Sequence, residues 1–111
     1  MGGFVKICPY FIEQLLALAA GQGNVVAELY LGYMYEAGTG IAQNDAEAVR
    51  LFHAAADQGE GEAQLYLGGL YERGGMGVIQ DVRRALYYYR LAAQEGYPEA
   101  IIALRALTRT R

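Results

Sequence analysis

The sequence predicts an all-α fold, a solenoid of about six helices arranged as stacked antiparallel pairs. The main evidence is an internal repeat. The stretch AELYLGYMYEAGTGIAQNDAEAVRLFHAAADQG, from Ala27 to Gly59, returns as AQLYLGGLYERGGMGVIQDVRRALYYYRLAAQEG, from Ala63 to Gly96. A repeat of 36 or 37 residues is typical of helix pairs that stack on their neighbours. The long segments also carry apolar residues at a helical period, and none alternates as a β-strand does.

The two copies of the repeat differ in length by one residue. Gly38 and Gly74 match at an offset of 36, whereas Gly59 and Gly96 match at an offset of 37. The extra residue of the second copy therefore lies in its GGMG turn, at 74–77. Such an insertion costs little, because loop-closure entropy grows only with the logarithm of loop length.

Composition limits the class of protein. A chain of 111 residues with 54% hydrophobic content is long and apolar enough to fold as one domain. Its net charge of −3 supplies no positive field to hold phosphates, so no nucleic-acid partner is expected. No apolar run reaches the roughly 18 residues of a membrane span. The single cysteine, Cys8, excludes an intramolecular disulfide.

Small polar caps, glycines and prolines divide the chain into helices. Asn24, Asn44 and Asp81 are predicted N-caps, and Asn44 with Glu47 has the pattern of a capping box. The predicted helices run over about Pro9–Gly21, from Asn24 to about Ala37, and over about Asp45–Asp57, Glu62–Arg73 and Asp81–Glu95, with a last helix from Pro98. The single domain, 1–111, then consists of a half repeat at 9–23, complete repeats at 24–60 and 61–97, and a half repeat at 98–109.

The N-terminal stretch also has a competing interpretation. Lys6 and the apolar residues after it resemble a secretory signal, but Glu13 and Gln14 interrupt the apolar centre. Residues 19–23 match residues 55–59, which favours the second helix of a preceding half repeat. Residues 1–8 have no repeat partner and are assigned no function.

Small residues at fixed places predict where helices cross. Gly32 and Gly68 are expected at crossings, and the alanine pairs at 55–56 and 92–93 let backbones approach closely. Tyr35 and Tyr71 are predicted core aromatics whose hydroxyls reach a partner or the surface.

The residues assembled so far resemble the Sel-one-like repeat, a relative of the tetratricopeptide repeat. The matching pattern is A-x-x-x-L-G-x-x-Y-x-x-G, then G-[IV]-x-x-[ND]-x-x-x-A, then A-A-x-x-G. The resemblance implies a right-handed superhelix that acts as an adaptor or scaffold between proteins, in bacteria often at the envelope, in secretion or in host contact. The chain departs from the usual repeat in three places. Asn44 replaces the more usual aspartate, the second turn has an extra residue, and Arg105 and Thr108 stand where glycine and tyrosine belong.

Candidate catalytic residues are scarce. The chain has no serine, one histidine and one cysteine, so no Ser-His-acid set or metal-ligand cluster can be assembled, and we predict no enzyme activity, cofactor or metal. A Cys8–His53 dyad is formally available, but His53 holds the position of Arg90 in the second copy and is interpreted as a solvated surface residue. The glycines at 74–77 are interpreted as turn residues. Of the run 87–89, only Tyr87 is expected at the surface.

The predicted function is binding of a segment of another protein, and the predicted site lies on the concave face. In tetratricopeptide-like pairs the first helix of each repeat lines that face. Its candidate residues here combine an apolar centre with an acidic margin, suited to a partner with hydrophobic anchors and basic flanks. They are Val26, Leu29, Tyr33, Glu36, Glu62, Leu65, Glu72, Arg73 and Ile102. A competing interpretation is that these residues only pack inside a tightly wound superhelix.

Other functions and partners are also considered. The family resemblance implies an alternative function, an immunity or inhibitor protein that blocks an effector enzyme, and an enzyme is the remote alternative. Phe11, Leu15 and Leu16 at one end, and Ile101, Ile102, Leu104 and Leu107 at the other, lack the polar caps of repeat arrays and predict a homodimer through the ends. The compartment is open between bacterial cytoplasm and periplasm, with a soluble protein expected in either.

Overall fold

Six α-helices of similar length follow one another in the part of the chain that the structure describes. The structure is a computed structural model, and it describes residues 9–109, with side chains from residue 12 onward. The helices are α1 (Pro9–Gly21), α2 (Val25–Ala37), α3 (Asp45–Asp57), α4 (Gly61–Arg73), α5 (Val82–Gln94) and α6 (Pro98–Arg109). They form the predicted all-helical solenoid, and their number and order confirm the sequence prediction.

The helix starts depend on the predicted caps. The side-chain oxygen of Asn24 accepts the Ala27 N–H at 3.0 Å, and that of Asn44 accepts the Glu47 N–H at 3.1 Å. Asp81 caps α5 in the same way. The capping box of α3 is only half formed, because the Asn44 N–H donates to the Tyr35 carbonyl at 2.8 Å and not to the Glu47 carboxylate. Each cap satisfies an N–H group that the first helical turn leaves unpaired.

Two glycines set the distance between the helices of each pair. A Cβ atom on Gly32 would lie 2.8 Å from the Phe52 ring, and one on Gly68 would lie 2.7 Å from the Tyr89 ring. Only a hydrogen fits there, so the ring of the second helix packs directly on the backbone of the first. The crossings predicted at these glycines are confirmed.

The longer second turn is fastened to the first repeat. Asp45, at the start of α3, is only 1% exposed, and its Oδ2 accepts the Met76 N–H at 3.0 Å. The Ala46 N–H donates to the Met76 carbonyl at 3.2 Å. Within the turn, Gly75 and Val78 exchange two backbone hydrogen bonds. The extra residue therefore builds an ordered contact between repeats.

The stack of helices is elongated, with extents of 56 × 27 × 25 Å. Both ends expose large apolar side chains, including Leu15 and Leu18 on α1 and Ile101 and Ile102 on α6. Phe11, also predicted at the first end, has its side chain outside the described residues. None of the helices in residues 9–109 is both long and apolar enough to cross a membrane.

Candidate protein-binding groove between α2 and α4

A groove of about 290 Å³ lies between the first helices of the two complete repeats. It is lined by apolar and aromatic side chains of α2, and by aromatic and acidic side chains from the N-cap and the first half of α4. These residues are Val26, Leu29, Tyr30, Tyr33, Glu60, Glu62 and Tyr66. The volume is at the lower limit of small-molecule sites. The groove suits one or two side chains of a longer ligand better than a whole cofactor.

A pair of tyrosines closes one end of the groove. Tyr66 donates a hydrogen bond from its hydroxyl to that of Tyr33 at 2.8 Å, and the two ring centroids are 5.0 Å apart. The Tyr66 ring also stacks on Phe52, with centroids 5.2 Å apart. Burial, and then the hydrogen bond to Tyr33, raise the pKa of Tyr66 above its usual value. The hydroxyl therefore stays neutral and the bridge keeps its donor.

Two carboxylates at the groove have no basic neighbour. Within the described side chains, neither Glu60 nor Glu62 forms an ion pair, whereas Glu36 accepts from Arg73 Nη2 at 2.9 Å. Arg73 also donates to the Gly74 carbonyl at 3.1 Å. Arg73, the basic residue of the predicted site, is thus bonded to Glu36 and does not line the groove, whose lining carries two carboxylates and no basic side chain.

The structure brings together four of the nine predicted site residues in this groove. Val26, Leu29, Tyr33 and Glu62 line it. Glu36 and Arg73 lie beyond the tyrosine pair and bond each other. The remaining three lie elsewhere: Leu65 packs half-buried against the core, Glu72 accepts the Tyr89 hydroxyl at 2.7 Å, and Ile102 is 66% exposed on α6.

Sequence reasoning missed three groove residues. Tyr30 and Tyr66 hold matching positions of the two copies, 36 residues apart, so the repeat itself was a signal that could have found them. They were missed because the predicted stripe on α2 followed Val26, Leu29 and Tyr33 and did not include Tyr30. Glu60 precedes α4 as its N-cap residue, but its side chain forms no capping hydrogen bond and lines the groove instead.

His53 is not a solvated surface residue, and that prediction was wrong. Its ring is partly buried, and its nitrogens lie 3.1 Å from the hydroxyls of Tyr71 and Tyr88. Burial lowers the pKa of His53, and the charge of Arg84 adds to this against the opposing effect of Asp57. A neutral imidazole fits the site, since one nitrogen donates and the other accepts. Both tyrosines come from the second repeat, so His53 joins the two repeats.

Other chemistry finds little support in the described region. Among residues 9–109, no three His, Cys, Asp or Glu side chains are grouped as metal ligands would be. Cys8, the other half of the formal dyad, lies outside the described residues. The glycines at 74–77 form the turn that the sequence predicts. Of the tyrosine run, Tyr89 is buried, Tyr88 is partly buried, and Tyr87 is 55% exposed.

Comparisons with known proteins agree on one repeat family. Residues 25–60 and 61–97 each match the family model of the Sel1 repeat. A Sel1 repeat protein from Oxalobacter formigenes is 35% identical over 92% of this chain and 41% of its own, with a TM-score of 0.80. The protective antigen c5321 of uropathogenic Escherichia coli, which displays an SLR fold, is 33% identical over 86% of this chain, with a TM-score of 0.81.

The chain is shorter than these proteins, since it covers only 20% of the length of the antigen c5321. Cysteine-rich protein B of Helicobacter pylori has the same fold, with a TM-score of 0.74 at 22% identity, over 86% of this chain and 70% of its own. No curated protein matches the chain.

Proposed function

The chain belongs to the Sel1 repeat family, and on that premise we propose that it is a protein-binding module whose α2–α4 groove holds a segment of another protein. Sel1 repeats are in general protein-interaction modules. The observation that carries the proposal for this chain is the groove itself, where exposed apolar and aromatic side chains lie beside two carboxylates that form no ion pair within the described side chains.

The apolar part of the groove supports an anchor site. Val26 is 59% exposed and Tyr33 is 46% exposed, although both lie on a helix whose other side is in the core. Exposed apolar side chains that surround a depression lose water when a partner side chain enters it. A few such buried anchors carry most of the affinity in protein complexes. The partner segment therefore supplies one or two apolar side chains to this groove.

The acidic part of the groove sets the charge of the partner. Glu60 and Glu62 lie at the margin, and an incoming lysine or arginine next to an apolar anchor would meet both. Complementary charges of this kind speed association and select the partner more than they add affinity. The proposed ligand is therefore an extended or helical segment with apolar anchors and basic flanks, held on the face that the repeat family uses as its concave side.

A site-specific photo-crosslinking experiment tests the proposal. A photoreactive phenylalanine analogue replaces Tyr33 in the groove or, as the matched control, Tyr87, which is similarly exposed on α5. We expect cells of the native host to give a crosslinked partner from position 33 and none from position 87. The opposite pattern would place the binding surface on α5 and overturn the proposal. The captured protein also distinguishes an adaptor from an inhibitor of an effector enzyme.

Affinity measurements with the captured partner complete the test. Val26→Glu and Tyr33→Ala should each weaken binding by more than tenfold, which corresponds to about 1.4 kcal/mol. Val26 is largely exposed, so the melting temperature of Val26→Glu should stay close to that of the wild type. Tyr33→Ala loses the contact with Tyr66 and should melt slightly lower while remaining folded. Tyr87→Ala should leave the affinity unchanged. Full binding by both groove variants would disprove the groove assignment.

A further inference from the structure

The turn between α4 and α5 presents large apolar side chains to solvent. Ile79 is 88% exposed and Met76 is 60% exposed, and Val82 follows at the start of α5, also exposed. In the first repeat the position that matches Ile79 holds the small residue Ala42, while Ile41 and its match Val78 are both partly buried. Exposed side chains of this size, close together on one turn, are typical of contact surfaces.

This turn is held in one conformation by the first repeat. The Asp45 carboxylate accepts the Met76 N–H at 3.0 Å, and the Ala46 N–H donates to the Met76 carbonyl at 3.2 Å. Gln80 Nε2 donates to the Glu72 carbonyl at 2.7 Å on the other side of the turn. A segment that is already ordered loses little conformational entropy on binding. Met76 and Ile79 are therefore presented as preformed anchors.

Basic side chains follow the apolar ones directly. Arg83 and Arg84 are exposed at the first turn of α5. Arg84 is held within its own chain, 3.6 Å from Asp81 and 3.3 Å from the Tyr71 hydroxyl to which it donates. Arg83 forms no ion pair within the described side chains. The segment 76–84 thus has the composition that the α2–α4 groove requires, with apolar anchors and a basic flank.

The two surfaces of one chain cannot meet each other. The groove uses Glu62 and Tyr66 near the start of α4, whereas the segment 76–84 begins beyond Arg73 at its other end. Glu62 and Arg73 are about 16 Å apart along the axis at the helical rise of about 1.5 Å per residue. A contact between these surfaces therefore joins two copies of the chain.

We propose that the α2–α4 groove of one copy receives the segment 76–84 of a second copy. Ile79 or Met76 enters the apolar part of the groove beside Val26 and Tyr33, and Arg83 of the segment faces Glu60 and Glu62. This inference rests on the proposed function, because it uses the same groove. The contact is head-to-tail, so a bound pair still offers one free groove and one free turn, and association is open-ended.

Two single variants and their mixture test the inference by sedimentation velocity at increasing protein concentration. The wild type, with a chain mass of 12.1 kDa, should form species that grow with concentration and shrink with added salt. Ile79→Asp removes the turn anchor, and Val26→Lys places a positive charge in the groove. Each variant alone should be monomeric, with self-affinity lowered by at least tenfold. Met76→Asp should behave as Ile79→Asp does.

The mixture separates a head-to-tail contact from a symmetric one. Ile79→Asp keeps its groove and Val26→Lys keeps its turn, so an equal mixture should form a dimer that does not grow further. Failure of the mixture to associate would overturn the inference, as would a wild type that stays monomeric at every concentration. Ile102→Asp, at the exposed face of α6, is the control for association through the ends. If Ile102→Asp no longer associated while Ile79→Asp still did, the inference would also be overturned.

The two proposals fail in different ways. A wild type that stays monomeric but crosslinks a foreign protein through position 33 would remove only the self-association. Because Ile79 lies outside the groove, Ile79→Asp should leave capture of a foreign partner unchanged. Capture that is insensitive to Val26→Lys would remove the groove assignment itself.

Discussion

The first complete repeat, 25–60, and the second, 61–97, share the way in which their helices meet and differ in what they present outward. In both, a glycine of the first helix lies against a ring of the second, Gly32 on Phe52 and Gly68 on Tyr89. The outward positions diverge. Tyr33, which closes the groove, corresponds to Gly69 in the second repeat. A Cβ atom on Gly69 would lie 3.7 Å from the Tyr89 hydroxyl, so a larger side chain could begin there without a clash.

The comparison extends to charged positions. Glu36 pairs with Arg73, whereas the matching Glu72 accepts the Tyr89 hydroxyl, which Phe52 of the first repeat lacks. The difference teaches which positions the fold constrains. Contacts inside a helix pair tolerate almost no change in volume, while contacts between pairs are free to differ and give each repeat its own surface.

The largest expected effect tests the shared feature. Gly68→Leu should lower the free energy of unfolding by about 1–3 kcal/mol or more, because the added side chain meets the Tyr89 ring. Gly32→Leu should behave alike against Phe52. Gly21→Ala is the control, since a Cβ there meets nothing within 4 Å. Thermal melting checks all three, and a Gly68→Leu protein that melts with the wild type would show that this crossing is placed wrongly.

A smaller effect sharpens the difference between the turns. Asp45 corresponds to Val82 in the second repeat, and Asp45→Val should cost about 1–3 kcal/mol because the Met76 N–H loses a charged acceptor. Val82→Asp should be nearly neutral, because the side chain is exposed and a negative charge suits the start of a helix. Denaturant titration measures both. Amide exchange at Met76 should also quicken in Asp45→Val, and equal costs at the two positions would contradict the role given to Asp45.

The smallest effect concerns pH and the contact between the repeats. Because burial lowers the pKa of His53 in the folded state, the folded chain binds this proton less readily than the unfolded chain. Its contribution to stability is therefore complete above the ordinary histidine pKa of about 6.5 and falls as the pH drops through and below that value. Melting temperatures between pH 8 and pH 5 check it. His53→Gln should remove part of this dependence, while Arg90→Gln at the matching exposed position should not.

Much of the fold could be predicted because its determinants are local. Asn24, Asn44 and Asp81 mark helix starts by their own chemistry, and the repeat places each helix relative to its copy. The surroundings of His53 could not be predicted in this way. Its partners are 18 and 35 residues away in the sequence, and the matching Arg90 is exposed.

The candidate site was predicted in part for the same reason. Val26, Leu29 and Tyr33 share one helix face, so their spacing places them together. The hydrogen bond between Asp45 and the second turn could not be predicted from the sequence. Its partner is Met76, 31 residues later, in a turn that is longer than that of the first repeat. Leu65 and Ile102 were predicted because they hold the position of Leu29 in the later copies of the repeat. The helices do repeat in the structure, but only Leu29 lines the groove.

The stacking of helices in chain order also shapes how the protein folds. Within residues 9–109, the main contacts join α1 to α2, α2 to α3, and so on to α6. Contacts between segments close in sequence form quickly, since little loop entropy is lost before they are made. Folding can then begin at any pair and spread to its neighbours. Within the described residues, the main packing partner of the first helix is α2 and that of the last helix is α5. Fraying is therefore expected to begin at α1 and α6, while α3 and α4 open last.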